Sequence, residues 1–172
     1  TDIYLNDTTT PVATINEGEY YRILANQYKN QGGGHCNLYV RTTKNVYLYQ
    51  LVGSGSGNNT GGYNYIPPLN CYLPRKIDEI GNVNIMPNIT YTTTLKLNIL
   101  TEAGAVVTVN GVIPTAAEGP YPLAGNSQWV TYAITGITGN VTIMSNKAVT
   151  AGINGGYGTA GYGGYFAGFS SV

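Results

Sequence analysis

Asn37-Leu-Tyr-Val-Arg-Thr-Thr-Lys-Asn-Val-Tyr-Leu-Tyr-Gln50 and Asn140-Val-Thr-Ile-Met-Ser-Asn-Lys-Ala-Val-Thr-Ala-Gly-Ile153 read as two copies of one small unit. Aligned without a gap, Leu38 meets Val141, Val40 meets Ile143, Thr42 meets Ser145, Lys44 meets Lys147 and Val46 meets Val149. Each copy has apolar residues two apart, a polar break centred on lysine, then apolar residues two apart again. A period of two places alternate side chains on opposite faces of an extended chain. The pattern therefore predicts a β-hairpin in each copy. A β unit used twice points to a scaffold built by duplication, which favours a structural or adhesive role over catalysis.

Outward from these stretches, strand patterns recur along the whole chain. They fall at Ile3–Asn6, Val12–Ile15, Tyr20–Leu24, Leu38–Thr42 and Val46–Val52, then at Thr93–Leu100, Val106–Val109, Gln128–Ile134, Val141–Ser145, Ala148–Ile153 and Tyr162–Phe169. Helical periodicity is nearly absent; the best helix candidate is a single turn at Arg75–Ile80. Turn signals separate the strands, and Asn110-Gly111 is the sharpest, because a type I′ turn needs positive φ at both central residues. Many short strands punctuated in this way predict an all-β, β-sandwich-like module. The aromatic-bearing strands before each hairpin extend the repeat upstream. The organisation expected is a first β unit (1–53), a connecting region (54–92) and a second β unit (93–172), forming one compact module. Within the connection, 53–62 is a Gly/Ser/Asn loop, and Tyr65-Ile-Pro-Pro-Leu-Asn-Cys-Tyr-Leu-Pro74 is an extended strap whose prolines fix φ. The chain opens directly on the strand-like Asp2-Ile-Tyr-Leu, as expected of a processed protein or a domain within a longer one.

The 172 residues are 42% hydrophobic but only 9% charged, with eight basic and eight acidic side chains. Ordinary globular chains carry about 25% charged residues. A chain of zero net charge without a basic stripe offers nothing to a phosphate backbone or an anionic membrane surface, which argues against nucleic-acid and electrostatic membrane partners. No apolar run approaches the length of a membrane-spanning helix. Tyrosine is abundant at 16 residues, whereas there are 2 phenylalanines and 1 tryptophan. Tyrosine suits a half-buried strand face, with an apolar ring and a polar tip.

Candidate chemistry is sparse. Cys36 and Cys71 are the two cysteines and His35 the one histidine. No further zinc ligands have suitable spacing. In a secreted protein the two cysteines would form a Cys36–Cys71 disulfide worth ~3–4 kcal/mol in the chain-entropy model; the alternative is two unpaired, buried thiols. His35 and Cys36 are strand neighbours and point to opposite faces, so they do not form a dyad. Glu17 and Glu19 share one strand face and Asp78-Glu79 lie in a turn; a glycosidase would need two carboxylates facing each other in a cleft. Asp2, Asp7 and Asp78 do not form a calcium loop motif. No cofactor and no enzymatic activity are expected. Gly156, Gly158 and Gly161 imitate a G-x-G-x-x-G phosphate loop, but no helix follows, so the plainer reading is a Gly-rich loop leading into a closing strand. A third reading makes Tyr157, Tyr162 and Tyr165 a platform for sugar rings. Lys44 and Lys147 read as charged turn residues, with an isopeptide bond to an asparagine as the alternative. Asn6, Asn58, Asn88 and Asn140 begin N-x-[ST] glycosylation signals, and Asp7-Thr8-Thr9 makes Thr8 a candidate for O-glycosylation.

Tyr63-Asn-Tyr-Ile-Pro-Pro-Leu-Asn-Cys71, Ile99-Leu-Thr-Glu-Ala-Gly-Ala105, Val107-Thr-Val-Asn-Gly111 and Gly161-Tyr-Gly-Gly-Tyr-Phe-Ala-Gly-Phe-Ser170 together resemble the IgGFc-binding-protein N-terminal-like domain of large secreted Bacteroidota surface proteins, including gliding-motility-type adhesins. That resemblance spans most of the chain. It implies an extracellular all-β module of a very long polypeptide, exported by the type 9 secretion system and displayed on the cell surface. Its partners would be neighbouring domains of the same chain or surface polysaccharide. Immunoglobulin binding does not carry over, because no Fc-contact residue matches a position here. The function expected is structural or adhesive, within a bacterial surface adhesin or filament; the alternative is a carbohydrate-binding module with a tyrosine-rich face.

Overall fold

The computed structural model describes residues 1–52, 62–70, 72–81, 83, 85–86, 89–90, 95–157 and 160–166. In chain order the strands are β1 (Asp2–Leu5), β2 (Ala13–Thr14), β3 (Lys29–Gly32), β4 (His35–Asn37), β5 (Val40–Thr42), β6 (Tyr49–Val52), β7 (Gly62–Tyr65) and β8 (Lys76–Ile80). They continue with β9 (Ile85–Met86), β10 (Ile89–Thr90), β11 (Lys96–Glu102), β12 (Val107–Val109), β13 (Tyr121–Leu123), β14 (Asn126–Thr135), β15 (Val141–Ser145), β16 (Val149–Tyr157) and β17 (Ala160–Phe166). One 3-10 turn, Ala25–Gln27, is the helical element among the described residues. The protein is all-β, as its periodicity predicts.

Two sheets enclose the main core. An open five-stranded sheet has the order β13-β14-β11-β16-β17, and a three-stranded sheet has the order β12-β15-β8. On β11 the alternation is strict: Leu97, Ile99 and Thr101 are buried while Asn98 and Leu100 turn the other way. Register carries that face sideways, pairing Ile99 with Tyr132 and Ala151, and Leu97 with Ile134 and Ile153. Ile77, Ile80, Val107, Val141 and Ile143 of the smaller sheet complete the same cluster, and Val141 and Ile143 are 0% exposed. Burying such side chains is worth ~1.5–3 kcal/mol each. Inside this core the Thr101 hydroxyl donates to the Ala148 carbonyl at 2.7 Å, so its polar atom is satisfied.

The two repeated stretches are not hairpins. β15 belongs to the three-stranded sheet and β16 to the five-stranded one, so the break at Lys147 carries the chain across the core from one sheet to the other. In the first copy β5 pairs with β1, while β6 pairs with β7, again in separate sheets. The copies are alike in this respect, and each break is held by a hydroxyl: Thr42 Oγ1 donates to the Lys44 carbonyl at 2.8 Å, and Ser145 Oγ accepts from the Lys147 amide at 3.1 Å. Alternation fixed the strands; the choice of partner came from long-range packing.

Within Arg75–Ile80, read as a helical turn, Lys76–Ile80 is a strand. Ile77 and Ile80 both face the core although they are three residues apart, because Glu79 has φ 43° and the ladder shifts register between Val141 and Ile143. A bulge of this kind turns a period of two into three and imitates a helix. Tyr20–Leu24 forms no strand, and Glu17 and Glu19 sit in a turn, where Glu19 Oε2 accepts from the Asn16 amide at 2.8 Å. Asn110 and Gly111 have φ 50° and 80°, as the type I′ reading requires.

The second face of the five-stranded sheet is polar, and the N-terminal half of the chain lies on it. Asn37 Nδ2 donates to Thr131 Oγ1 and to the Pro122 carbonyl, each at 3.0 Å. Lys96 Nζ donates to the Gly34 carbonyl at 2.9 Å. Leu73, Leu123, Trp129 and Ala148 form a small apolar cluster there, with Tyr39, Leu69 and Leu100 against it. Among the described residues this cluster brings apolar side chains of both halves together, and hydrogen bonds join them elsewhere. The strap and the strand after it join the second half directly: the Pro74 carbonyl accepts from the Val149 amide, and the Arg75 carbonyl from the Ser145 amide, each at 2.8 Å.

Candidate functional site

β6 and β7 form a two-stranded ribbon in which Tyr49 lies opposite Tyr65, and Leu51 opposite Tyr63. Alternation divides the ribbon into an inner and an outer face. Val52 and Asn64 point inward and are buried, whereas Tyr47, Tyr49, Leu51, Tyr63 and Tyr65 point to solvent, with Tyr47 80% and Tyr63 71% exposed. The inner face is seated by a glycine. A Cβ on Gly163 of β17 would lie 2.5 Å from Asn64 Nδ2, so only glycine lets the ribbon lie this close.

The outer face is an aromatic surface without charge. No residue from Asn45 to Pro74 is ionisable other than Cys71 and the tyrosines themselves. The Tyr65 ring lies 5.8 Å from Tyr49 and 6.3 Å from Tyr47, at interplanar angles of 59° and 54°. Tilted contacts at these distances suit the ring quadrupole. They also mean that the rings are not coplanar.

A second concave feature lies where the strap meets the ends of β11 and β14. A cleft of about 450 Å³ is lined by Leu69, Asn70, Glu102, Gln128, Trp129 and Lys147. The Lys147 ammonium donates to the Ala103 carbonyl at 2.5 Å, and Glu102 Oε1 accepts from the Ala148 amide at 3.3 Å. Its amine therefore bonds a main-chain carbonyl.

Residues 1–155 match the family model described as IgGFc binding protein. The chain belongs to that family. Neither a curated protein nor a solved structure matches it. The IgGFc-binding match covers both halves of the fold, including the tyrosine ribbon and the cleft.

The positions singled out from the sequence are distributed over this IgGFc-binding domain as follows. Tyr162 lies opposite Gly155, and its ring occupies the space a Cβ there would need, 2.4 Å from the hydroxyl. It packs against the main core. Tyr157 and Tyr165 lie on β16 and β17, paired with Ala160 and Gly152, and their side chains lie outside the described residues. Among the described residues an exposed aromatic face lies on β6–β7, and its signal was present in the alternation of Tyr47, Tyr49, Leu51 and of Tyr63, Tyr65.

Cys36 is exposed and its thiol is free. Cys71 lies outside the described residues. Asn6 is built into the fold: its Nδ2, the atom a glycan would take, donates to the Gln27 carbonyl at 2.9 Å. Thr8 is exposed and accepts from the Leu5 amide at 3.2 Å. The Asn140 amide nitrogen donates to Glu79. Asn58 and Asn88 lie outside the described residues. Asp2 binds the Thr14 hydroxyl, Asp7 the Lys29 amine and Asp78 the Lys76 amine, so the three carboxylates considered for calcium have separate partners. Backbone hydrogen bonding, with the Lys29 amine, holds Asp7 below the usual carboxylate range.

His35 faces the second half of the chain from β4. Its ring lies 5.3 Å from that of Tyr121. Burial pushes its pKa down, and the Lys96 charge adds to this, opposed by Glu118 and the Ala117 carbonyl. Cys36 points away to solvent, as expected of a strand neighbour.

Proposed function

We propose that this domain is an adhesive module that binds another protein through the outer face of the β6–β7 ribbon. The observation that carries the reading is the sorting of Tyr47, Tyr49, Leu51, Tyr63 and Tyr65 onto one exposed, uncharged face. Single exposed apolar residues are ordinary, but a contiguous group on one face marks a contact site. Tyrosine is enriched in protein interfaces because its rigid ring supplies contact area at low entropic cost while its hydroxyl stays hydrogen-bonded. The ring tilts of 54° and 59° favour a protein partner, whose side chains can enter between the rings, over a flat stack beneath a single sugar ring. Membership of the IgGFc-binding family supports a secreted binding role.

On this reading the module works by binding rather than catalysis, within a larger extracellular surface protein of the adhesin type. Its partners are neighbouring domains of that protein or an external protein ligand. No helix among the described residues is long and apolar enough to cross a membrane. The test is capture on beads carrying the domain, offered purified IgG Fc and the protein's own flanking segments. At least one should be retained, and Tyr49→Ser/Tyr63→Ser should lower retention at least tenfold with an unchanged unfolding midpoint. Retention of none, or equal retention by both forms, overturns the reading.

A further inference from the structure

We infer that the cleft between the strap and the β11–β14 strand ends binds an uncharged, polyhydroxylated ligand, of the class of a neutral mono- or disaccharide. This inference is independent of the tyrosine ribbon. The cleft volume, about 450 Å³, lies within the ~300–1,000 Å³ of small-ligand sites.

Its lining has no net charge but a full complement of hydrogen-bonding groups. One proton of the Lys147 ammonium is committed to the Ala103 carbonyl, which leaves two N–H donors. Glu102 uses Oε1 on the Ala148 amide, leaving its other oxygen as an acceptor. Asn70 Oδ1 accepts from the Tyr72 amide at 2.6 Å, which leaves its NH₂ to donate. Gln128 is exposed and can both donate and accept. Sugar hydroxyls do both at once, so donors and acceptors side by side suit them.

The charges disfavour ligands of a single sign. An anionic ligand would meet the Glu102 carboxylate, and a cationic ligand the Lys147 ammonium. A neutral polyol meets each as a strong partner, since hydrogen bonds to charged groups are the more stabilising ones. Leu69 and the exposed edge of Trp129 supply apolar surface for the C–H groups of a sugar ring. Trp129 is 7% exposed, and it lines the cleft.

Trp129 is the single tryptophan of the chain, so it reports directly on this cleft. The experiment follows its emission, excited where tyrosine is silent, while the full chain is titrated with glucose, galactose, mannose, N-acetylglucosamine and lactose. Glucuronate and glucosamine serve as charged comparators. At least one neutral sugar should give a saturable shift, with both charged comparators weaker. Gln128→Ala and Lys147→Met should each weaken binding about tenfold, the scale of one hydrogen bond to a charged or well-placed group. Gln128 is exposed and its side chain makes no hydrogen bond among the described residues, so its variant keeps the test open if Lys147→Met unfolds. The inference is overturned by the absence of any saturable response, by tighter binding of a charged comparator, or by binding that survives Gln128→Ala unchanged. The tyrosine-ribbon double variant should bind sugar like the wild type, which separates this site from the protein-binding face.

Discussion

Replacing Gly125 by alanine tests how the two halves of the chain are joined. Gly125 lies in the turn between β13 and β14 with φ +84°, and a Cβ built there sits 2.0 Å from the Asn6 carbonyl oxygen, 2.5 Å from its carbon and 3.0 Å from the Asp7 nitrogen. Two costs add. The left-handed backbone costs a non-glycine residue ~1–2 kcal/mol. The clash is with backbone, so no rotamer change relieves it, and separating the two turns costs ~1–3 kcal/mol as overpacking does. Asn6 cannot yield freely, because its side chain is tied to the Gln27 carbonyl and the Tyr39 amide. Gly125→Ala should therefore destabilise by ~2–5 kcal/mol. Gly136→Ala isolates the first cost: φ is +75°, but nothing lies within 4 Å of the added methyl. It should lose only ~1–2 kcal/mol. The assay is urea unfolding followed by Trp129 emission, comparing midpoints at equal slope. Equal losses in the two variants, within ~0.5 kcal/mol, would refute the close approach of the turns and with it the docking of the halves.

Ile143→Ala, at a 0% exposed position facing the five-stranded sheet, should cost ~2–5 kcal/mol in the same assay. Gly163→Ala should cost ~1–3 kcal/mol, because the methyl displaces the buried Asn64 amide beneath the ribbon; proteolysis should then cut the β6–β7 ribbon faster than in the wild type. His35 has a pKa lowered by burial and by Lys96, so the unfolded chain binds its proton more readily than the folded one. Its stability contribution is complete above the ordinary histidine value of about 6.5 and falls as pH drops through the lowered folded value. The urea midpoint should fall between about pH 7.5 and pH 5, and His35→Gln should remove that part of the slope.

Much of the fold was legible wherever alternation is clean and one face alone is buried. Val141–Ser145 coincides with its strand, and β11, β12, β14 and β16 fall within a few residues of the stretches read from sequence. Three kinds of element were not legible. β3 and β4 are glycine- and polar-rich and gain their order from the sheet beneath them, as Asn37 does from Thr131. β8 was hidden by the bulge at Glu79. The polar second face of the five-stranded sheet had no sequence signature, because asparagine, threonine and glycine on a strand read the same whether they meet water or another part of the chain. The aromatic ribbon was visible as alternating tyrosines, whereas the folding of the Tyr162 ring onto Gly155 had no local sequence signal.

By itself the sequence determined the class of the fold, the positions of most strands in the second half, the Asn110-Gly111 turn and the uncharged character of the surface. These are local properties: side-chain period, turn chemistry and composition act on a few neighbouring residues. Tertiary structure decided which strands pair, that both Lys-centred breaks are crossings between sheets rather than hairpins, which tyrosines face solvent, and that Leu69, Glu102, Gln128, Trp129 and Lys147 line one cleft. Backbone hydrogen bonds carry no sequence label, so a strand accepts whichever neighbour buries the most apolar surface and leaves the fewest polar groups unpaired. That balance is set by the whole chain, and no window of 14 residues such as 37–50 or 140–153 contains it.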